Sequence, residues 1–347
     1  MRRRNCLRTL AGAGLLGTAG CVEVVRDLRA GATIDAPQAA MVDERLDVVV
    51  TDVDAEGPVW VEARTEDGAG HAWFGRSLFE PNDGRIELRD ARPVQGTYEE
   101  PDRMGLFWSM QPADLDREFY ATDQRTQAVT LSVLPDERDP SPLAEATLDR
   151  HVAAPDGEER TVERPVVGTL VESPGDGPAL GVVLFHGSAG TRPVGVARAL
   201  ASHGFTVLVL QYLSPAHPEL PDALVEVPVE YADRAVAWLA DHDATTDDPV
   251  GLGGFSRGGE LALLVGSRHD AVGSVVNWVG AGLIFNAVVL NGGVAPSQDT
   301  PDTSAWTLDG EPLAHPSLDD FERGPDLTAA YRSWLEEHTP AETLRNA

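Results

Sequence analysis

Lysine is absent from this chain. All 27 of its basic residues are arginine, set against 56 Asp and Glu, for a net charge of −29 over 347 residues. Cysteine is nearly absent too, with only Cys6 and Cys21, both close to the N-terminus. Each scarcity excludes something. Outside the first eight residues there is no arginine cluster, so nucleic acid is not an expected partner. Beyond Cys21 there is no thiol, which removes redox dithiols, a thiol nucleophile and Cys-ligated metal. No cofactor and no metal is expected. The acid excess would destabilise a compact state by self-repulsion in dilute buffer. In molar salt the screening length falls to about 3 Å and the repulsion largely vanishes. The carboxylates are spread along the chain rather than blocked, which suits a protein of very salty surroundings better than an acidic face for a basic partner.

The basic residues that do cluster belong to a targeting pattern. Arg2-Arg3-Arg4-Asn5-Cys6-Leu7-Arg8 has the twin-arginine form, and the apolar stretch Leu10 to Ala19 is too short to span a bilayer. Thr18-Ala19-Gly20-Cys21 places small residues before a cysteine, as in a lipoprotein signal. Residues 1–21 are therefore expected to be an export signal, with lipid attached at Cys21 anchoring the protein to the outer face of the cell membrane. Residues 22–32 form a tether.

From Thr33 to about residue 150 short strand-like runs are separated by breakers such as Pro81-Asn82-Asp83-Gly84. Leu46–Val53, Val59–Ala63, His71–Phe74, Arg85–Leu88, Leu106–Met110 and Ala128–Val133 read as strands of a β-sandwich with Trp60, Trp73 and Trp108 in its core. From residue 151 strands and helices alternate. Leu180–Phe185, Phe205–Leu210, Val250–Phe255 and Gly273–Val279 are apolar strand runs, and Pro193–His203 and Glu230–His242 carry helical periodicity. That alternation predicts an α/β domain over 151–347 with a doubly wound, mostly parallel sheet, and ligands at the carboxyl ends of its strands.

Two loops at those ends carry chemistry. Gly254-Phe255-Ser256-Arg257-Gly258 lies between a strand and a helix, the context of a nucleophile elbow. Glycines at 254 and 258 remove side chains that would collide at so tight a turn. Ser256 is the expected nucleophile, at the positive end of a helix. Acyl transfer builds an oxyanion that two backbone N–H groups must face. Arg257 supplies the first; Ser188, in His186-Gly187-Ser188-Ala189-Gly190, is expected to supply the second, with Ala189 the alternative. His186 reads as a structural residue of that loop.

These residues resemble the family of acyl-CoA thioesterases and bile acid-CoA:amino acid N-acyltransferases. The resemblance rests on the elbow, on Glu226-Val227-Pro228-Val229-Glu230-Tyr231 with Ala237-Trp238-Leu239, and on Met104-Gly105-Leu106-Phe107-Trp108-Ser109-Met110. It implies an Ig-like sandwich over 33–150 ahead of an α/β-hydrolase domain, and hydrolysis of acyl thioesters, since Ser256 stands where the transferases use cysteine. It also implies a catalytic Asp and His on later loops. Downstream of Ser256 only His269, His315 and His338 occur, and none follows a strand as the base must. After residue 295 nothing reads as a buried strand, and Asp319–His338 looks helical. The sheet is thus expected to lack its last strands and the enzyme to be impaired. The alternatives are a dienelactone-hydrolase-like esterase, or a non-catalytic surface lipoprotein that binds acyl ligands.

Overall fold

The computed structural model describes residues 31–315 apart from 115–119, 123, 137–140, 155–156 and 292–294. The targeting segment, most of the tether, the 319–338 run and His338 lie outside the described residues. The chain divides into two compact units, one reaching Thr122 and including Gln127–Arg150, the other starting at His151 and including the 123–126 segment. Among the described residues no helix is long and apolar enough to cross a membrane.

Among its described residues the first unit is all-β apart from one helical turn. A three-stranded sheet (Thr33–Asp35, Val49–Thr51, Ile86–Glu87) and a larger antiparallel sheet feed a single core. In the larger sheet Val59–Glu66 pairs with both Ala72–Phe79 and Thr126–Leu134. Alternate residues of Val59–Glu66 and Ala72–Phe79 are buried, the period-2 pattern of half-buried strands. Val50 and Ile86 from one sheet meet Val61, Leu131 and Leu148 from the other in that core.

One expected strand is a helix. Gly105–Trp108 forms a single turn, with Leu106 fully buried and Trp108 64% exposed. Helical residues advance about 100° each, so Trp108 points away from Leu106. This corrects the core assignment of Trp108; Trp73 is buried as expected and Trp60 half-buried. The turn also explains its own sequence. A Cβ at Gly105 would stand 2.3 Å from the Tyr98 ring. Asp102 accepts from the Met104 N–H and the Trp108 indole, and Met104 Sδ accepts from the Leu46 N–H. The Met104–Met110 motif thus packs through Met104, Gly105 and Leu106.

The second unit is built on a six-stranded sheet. Its strands are β1 (Glu159–Val162), β2 (Gly168–Val171), β3 (Leu180–Phe185), β4 (Phe205–Leu210), β5 (Val250–Phe255) and β6 (Val272–Trp278), in the order β1-β2-β4-β3-β5-β6. The β1–β2 and β2–β4 pairs are antiparallel; the other three are parallel. The helices among the described residues are α1 (Val194–Ser202), α2 (Val229–Ala240) and α3 (Arg257–Gly266). The Val- and Leu-rich runs of β3 and β4 are buried on both faces, as parallel strands between helices must be. Ala232, Ala235, Val236 and Leu239 of α2 join Leu261 and Val265 of α3 over Val183, Phe185 and Leu252. Ala197 and Ala201 of α1 cover Leu184, Val207 and Val209 on the opposite face. On β6, Val276 and Trp278 are 61% and 54% exposed.

One buried strand was missed by the sequence reading. Trp306–Leu308 runs parallel to Val227–Pro228, with Ala305 and Trp306 fully buried. Three residues between turns are too few for a period-2 pattern to register.

Candidate active site

β5 delivers Ser256 into a conformation few residues adopt, at φ 52° and ψ −119°, and α3 starts at the next residue. Such a backbone costs about 1–3 kcal/mol and persists only where its surroundings over-determine it. Here they do. A Cβ at Gly254 would stand 1.9 Å from the Gly258 carbonyl oxygen. One at Gly258 would stand 2.3 Å from the His186 carbonyl oxygen. At Gly259, not singled out from sequence, a Cβ would meet the Asn277 side chain, its Oδ1 at 2.1 Å, and would displace it. The Ser256 N–H donates to the Trp278 carbonyl at 2.9 Å, and the Gly259 N–H donates to the Ser256 carbonyl at 2.9 Å. The backbone is thus fixed on both sides while the serine itself stays exposed.

The loop after β3 lies against this elbow. A Cβ at Gly187 would stand 3.4 Å from Ser256 Cβ and 4.0 Å from its Oγ, so this backbone approaches as closely as a side chain would allow. The Gly190 N–H closes a four-residue turn on the Gly187 carbonyl at 3.1 Å. Ser188, half-buried, and Ala189, exposed, are its two central residues. Behind the turn His186 is fully buried and stacked on Tyr212 with ring centroids 3.9 Å apart. Burial holds its pKa down at about 4, so the ring is neutral. Its Nδ1–H donates to the Gly187 carbonyl at 2.7 Å, leaving Nε2 to accept from the Tyr212 N–H at 3.4 Å. The Tyr212 hydroxyl donates to the His186 carbonyl, and Gln211 Nε2 donates to the carbonyls of Gly190, at 3.1 Å, and Leu213. His186 is accordingly a structural residue of the loop.

The other side of the elbow carries a buried ion pair. Arg257 Nη1 donates to Glu260 Oε2 at 2.7 Å, and the two side chains are 10% and 2% exposed. Arg257 Nη2 donates to the Phe285 and Asn286 carbonyls at 3.0 and 2.6 Å. Glu260 Oε1 accepts from the Phe285 N–H at 2.9 Å and the Trp306 indole at 2.8 Å. Burial pushes the Glu260 carboxyl up to about 7 against the pull of Arg257 and these donors. Gln211, Tyr212, Glu260 and Trp306 escaped the sequence reading. The acid in the apolar run Glu260–Val265 was the one visible signal.

No hydrogen bond to Ser256 Oγ is present among the described residues. His269 Nδ1 accepts from the Ala271 N–H at 3.3 Å, and His315 sits by the Leu313 carbonyl and 3.9 Å from Asp302. No group of three or more metal-ligating side chains converges among the described residues.

A strand–serine–helix elbow at the carboxyl edge of a mixed sheet, with a glycine loop pressed against it, defines an α/β hydrolase. Two family models match the chain. "Acyl-CoA thioester hydrolase/BAAT N-terminal region" covers residues 43–164, and "BAAT / Acyl-CoA thioester hydrolase C terminal" covers residues 227–323. The chain belongs to the acyl-CoA thioester hydrolase/BAAT family. Acyl-coenzyme A thioesterase 1 of Rattus norvegicus is 31% identical over 268 residues, 74% of this chain and 59% of the relative. Mitochondrial acyl-coenzyme A thioesterase 2 of the same species is 30% identical over 298 residues, 84% and 62% respectively. The chain thus spans about six-tenths of the length of these relatives. Among solved structures, the α/β hydrolase GrgF from Penicillium sp. sh18 aligns with 38% of this chain and 47% of its own at 15% identity, with a TM-score of 0.31.

Proposed function

We propose that this chain is a serine hydrolase of acyl thioesters. The observation that carries the reading is Ser256, exposed and held at φ 52° beside Gly187, where a Cβ would stand 3.4 Å from Ser256 Cβ. Ser256 Oγ attacks the thioester carbonyl, the C–S bond breaks, and the serine proton leaves with the thiol. Water then cleaves the acyl-serine to a carboxylic acid and restores Ser256. The N–H groups of Arg257 and Ser188 face the oxyanion of each step. The named thioesterases among the relatives support the thioester class over an ordinary ester, as in a dienelactone-hydrolase-like esterase. A serine hydroxyl with no base beside it acylates slowly. The described site therefore works as nucleophile and oxyanion cradle, with turnover about 10³–10⁴ above water and far below that of a complete triad. Steady-state hydrolysis of a short acyl thioester in molar salt, with and without Ser256→Ala, tests this. Equal rates would instead favour a lipoprotein that binds acyl ligands without cleaving them.

The same proposal includes an Ig-like first unit, export by the twin-arginine segment, and a lipid on Cys21. The support is the two-sheet core around Val50 and Val61 and the Arg2–Cys21 sequence. Intact mass of membrane-fraction protein should start at Cys21 plus lipid; a cytosolic chain starting at Met1 contradicts the anchor.

A further inference from the structure

Among the described residues between β6 and Trp306 little is regular beyond the pairing of Leu290–Asn291 with Ala295–Pro296, and Arg257 and Glu260 tie this segment to the elbow helix. Five side-chain hydrogen bonds join the first turn of α3 to itself, to that segment and to Trp306, and every one involves Arg257 or Glu260. Two charges are taken out of water to make them, which is a costly way to add stability. A carboxylate with fixed donors on both oxygens does, however, define a position. We propose that Glu260 is the positioning residue of the nucleophile elbow, fixing Arg257, whose backbone N–H faces the oxyanion, and docking Phe285 and Trp306 on α3. The proposal rests on the reading of Ser256 as nucleophile.

The groups facing Glu260 are Arg257 on its own helix, the Phe285 N–H and Trp306 indole from the later segment, and Tyr212 from the end of β4, whose hydroxyl burial keeps protonated. Only the ionised carboxylate accepts from all three donors. A proton on Oε2 would face the Arg257 N–H. The contact with Arg257 therefore strengthens as pH rises through about 7, while the cost of burying the charge lowers overall stability.

The test follows labelling of Ser256 by a fluorophosphonate probe between pH 5 and 9, beside hydrogen–deuterium exchange of the 283–308 amides. Glu260→Gln keeps an oxygen for Phe285 and Trp306 but loses the guanidinium contact. It is expected to label about tenfold more slowly at pH 8 and to lack the inflection near pH 7. Glu260→Ala should in addition speed exchange at the Phe285 amide at least about tenfold. If Glu260→Ala does not fold, Trp306→Phe, which deletes one donor and keeps a ring, takes its place in the exchange arm with a smaller effect of the same sign. Wild-type labelling rate and pH profile in Glu260→Gln would overturn the proposal, as would unchanged exchange at Phe285 in the second variant. A wild-type chain that never labels defeats the nucleophile reading instead, while the exchange arm still tests the clamp.

Discussion

On one side of Ser256 a histidine is buried without charge; on the other an arginine and a glutamate are buried with theirs. The neutral side is a four-residue turn whose carbonyls are satisfied by its own Gly190 N–H and by Gln211 and Tyr212, which follow the neighbouring strand β4 directly. It follows directly from β3 and needs only a stacked ring to back it. The charged side must fix a long segment with few ladder bonds of its own, and irregular chain of that length has many near-equal arrangements. A buried carboxylate with three donors selects one of them. Short loops at a strand end are positioned by the backbone; long ones need side chains, and here those side chains are ionised.

The sharpest way to break both sides at once is Gly258→Ala, because the new methyl would meet the His186 and Phe185 carbonyls. A loss above about 4 kcal/mol is expected, enough to abolish folding or lower Tm by about ten degrees or more. A stable, labelling-competent variant would show the elbow is looser than described. Next comes Trp306→Ala, which removes a fully buried ring and one donor from the charged side. It should cost about 3–5 kcal/mol by denaturant titration. The contrast is Trp108→Ala in the first unit, 64% exposed, expected below about 1 kcal/mol.

The two sides also differ in the sign of their pH dependence. His186 has its pKa depressed to about 4, so its stability is fully present above the ordinary value near 6.5 and is lost as pH falls through 4. Glu260 is raised to about 7, so the folded state keeps a proton the unfolded chain releases near 4.5. Its contribution is present below 4.5 and lost as pH rises through 7. Glu260→Gln should therefore gain on wild type by about 1–3 kcal/mol between pH 4.5 and 7.5, measured at constant molar salt. A difference constant with pH would contradict the assignment. The smallest expected effect at the elbow itself is that of Tyr212→Phe, which deletes the hydroxyl donated to the His186 carbonyl. About 1 kcal/mol should be lost, with a modest slowing of Ser256 labelling.

Much of this was legible in the chain itself. β3, β4 and β5 announced themselves as apolar runs, and Gly254, Ser256 and Gly258 as a turn no other residues would tolerate. The neutral side was half legible, through His186-Gly187-Ser188. The charged side was not, because Phe285 lies in a stretch with little regular structure and Trp306 on a three-residue strand, and neither carries a pattern that places it against Glu260. Trp108 misled because a single helical turn in a run of strands carries no periodicity long enough to read.

The account stands or falls on Ser256 as the group that takes the acyl. Intact-mass spectrometry of the chain after prolonged incubation with an acyl thioester in molar salt, quenched in acid and mapped to peptides, reads this directly. The expected result is one acyl added at Ser256 and none in Ser256→Ala. An unmodified Ser256, or an adduct of the same mass that persists in the Ser256→Ala chain, would contradict it.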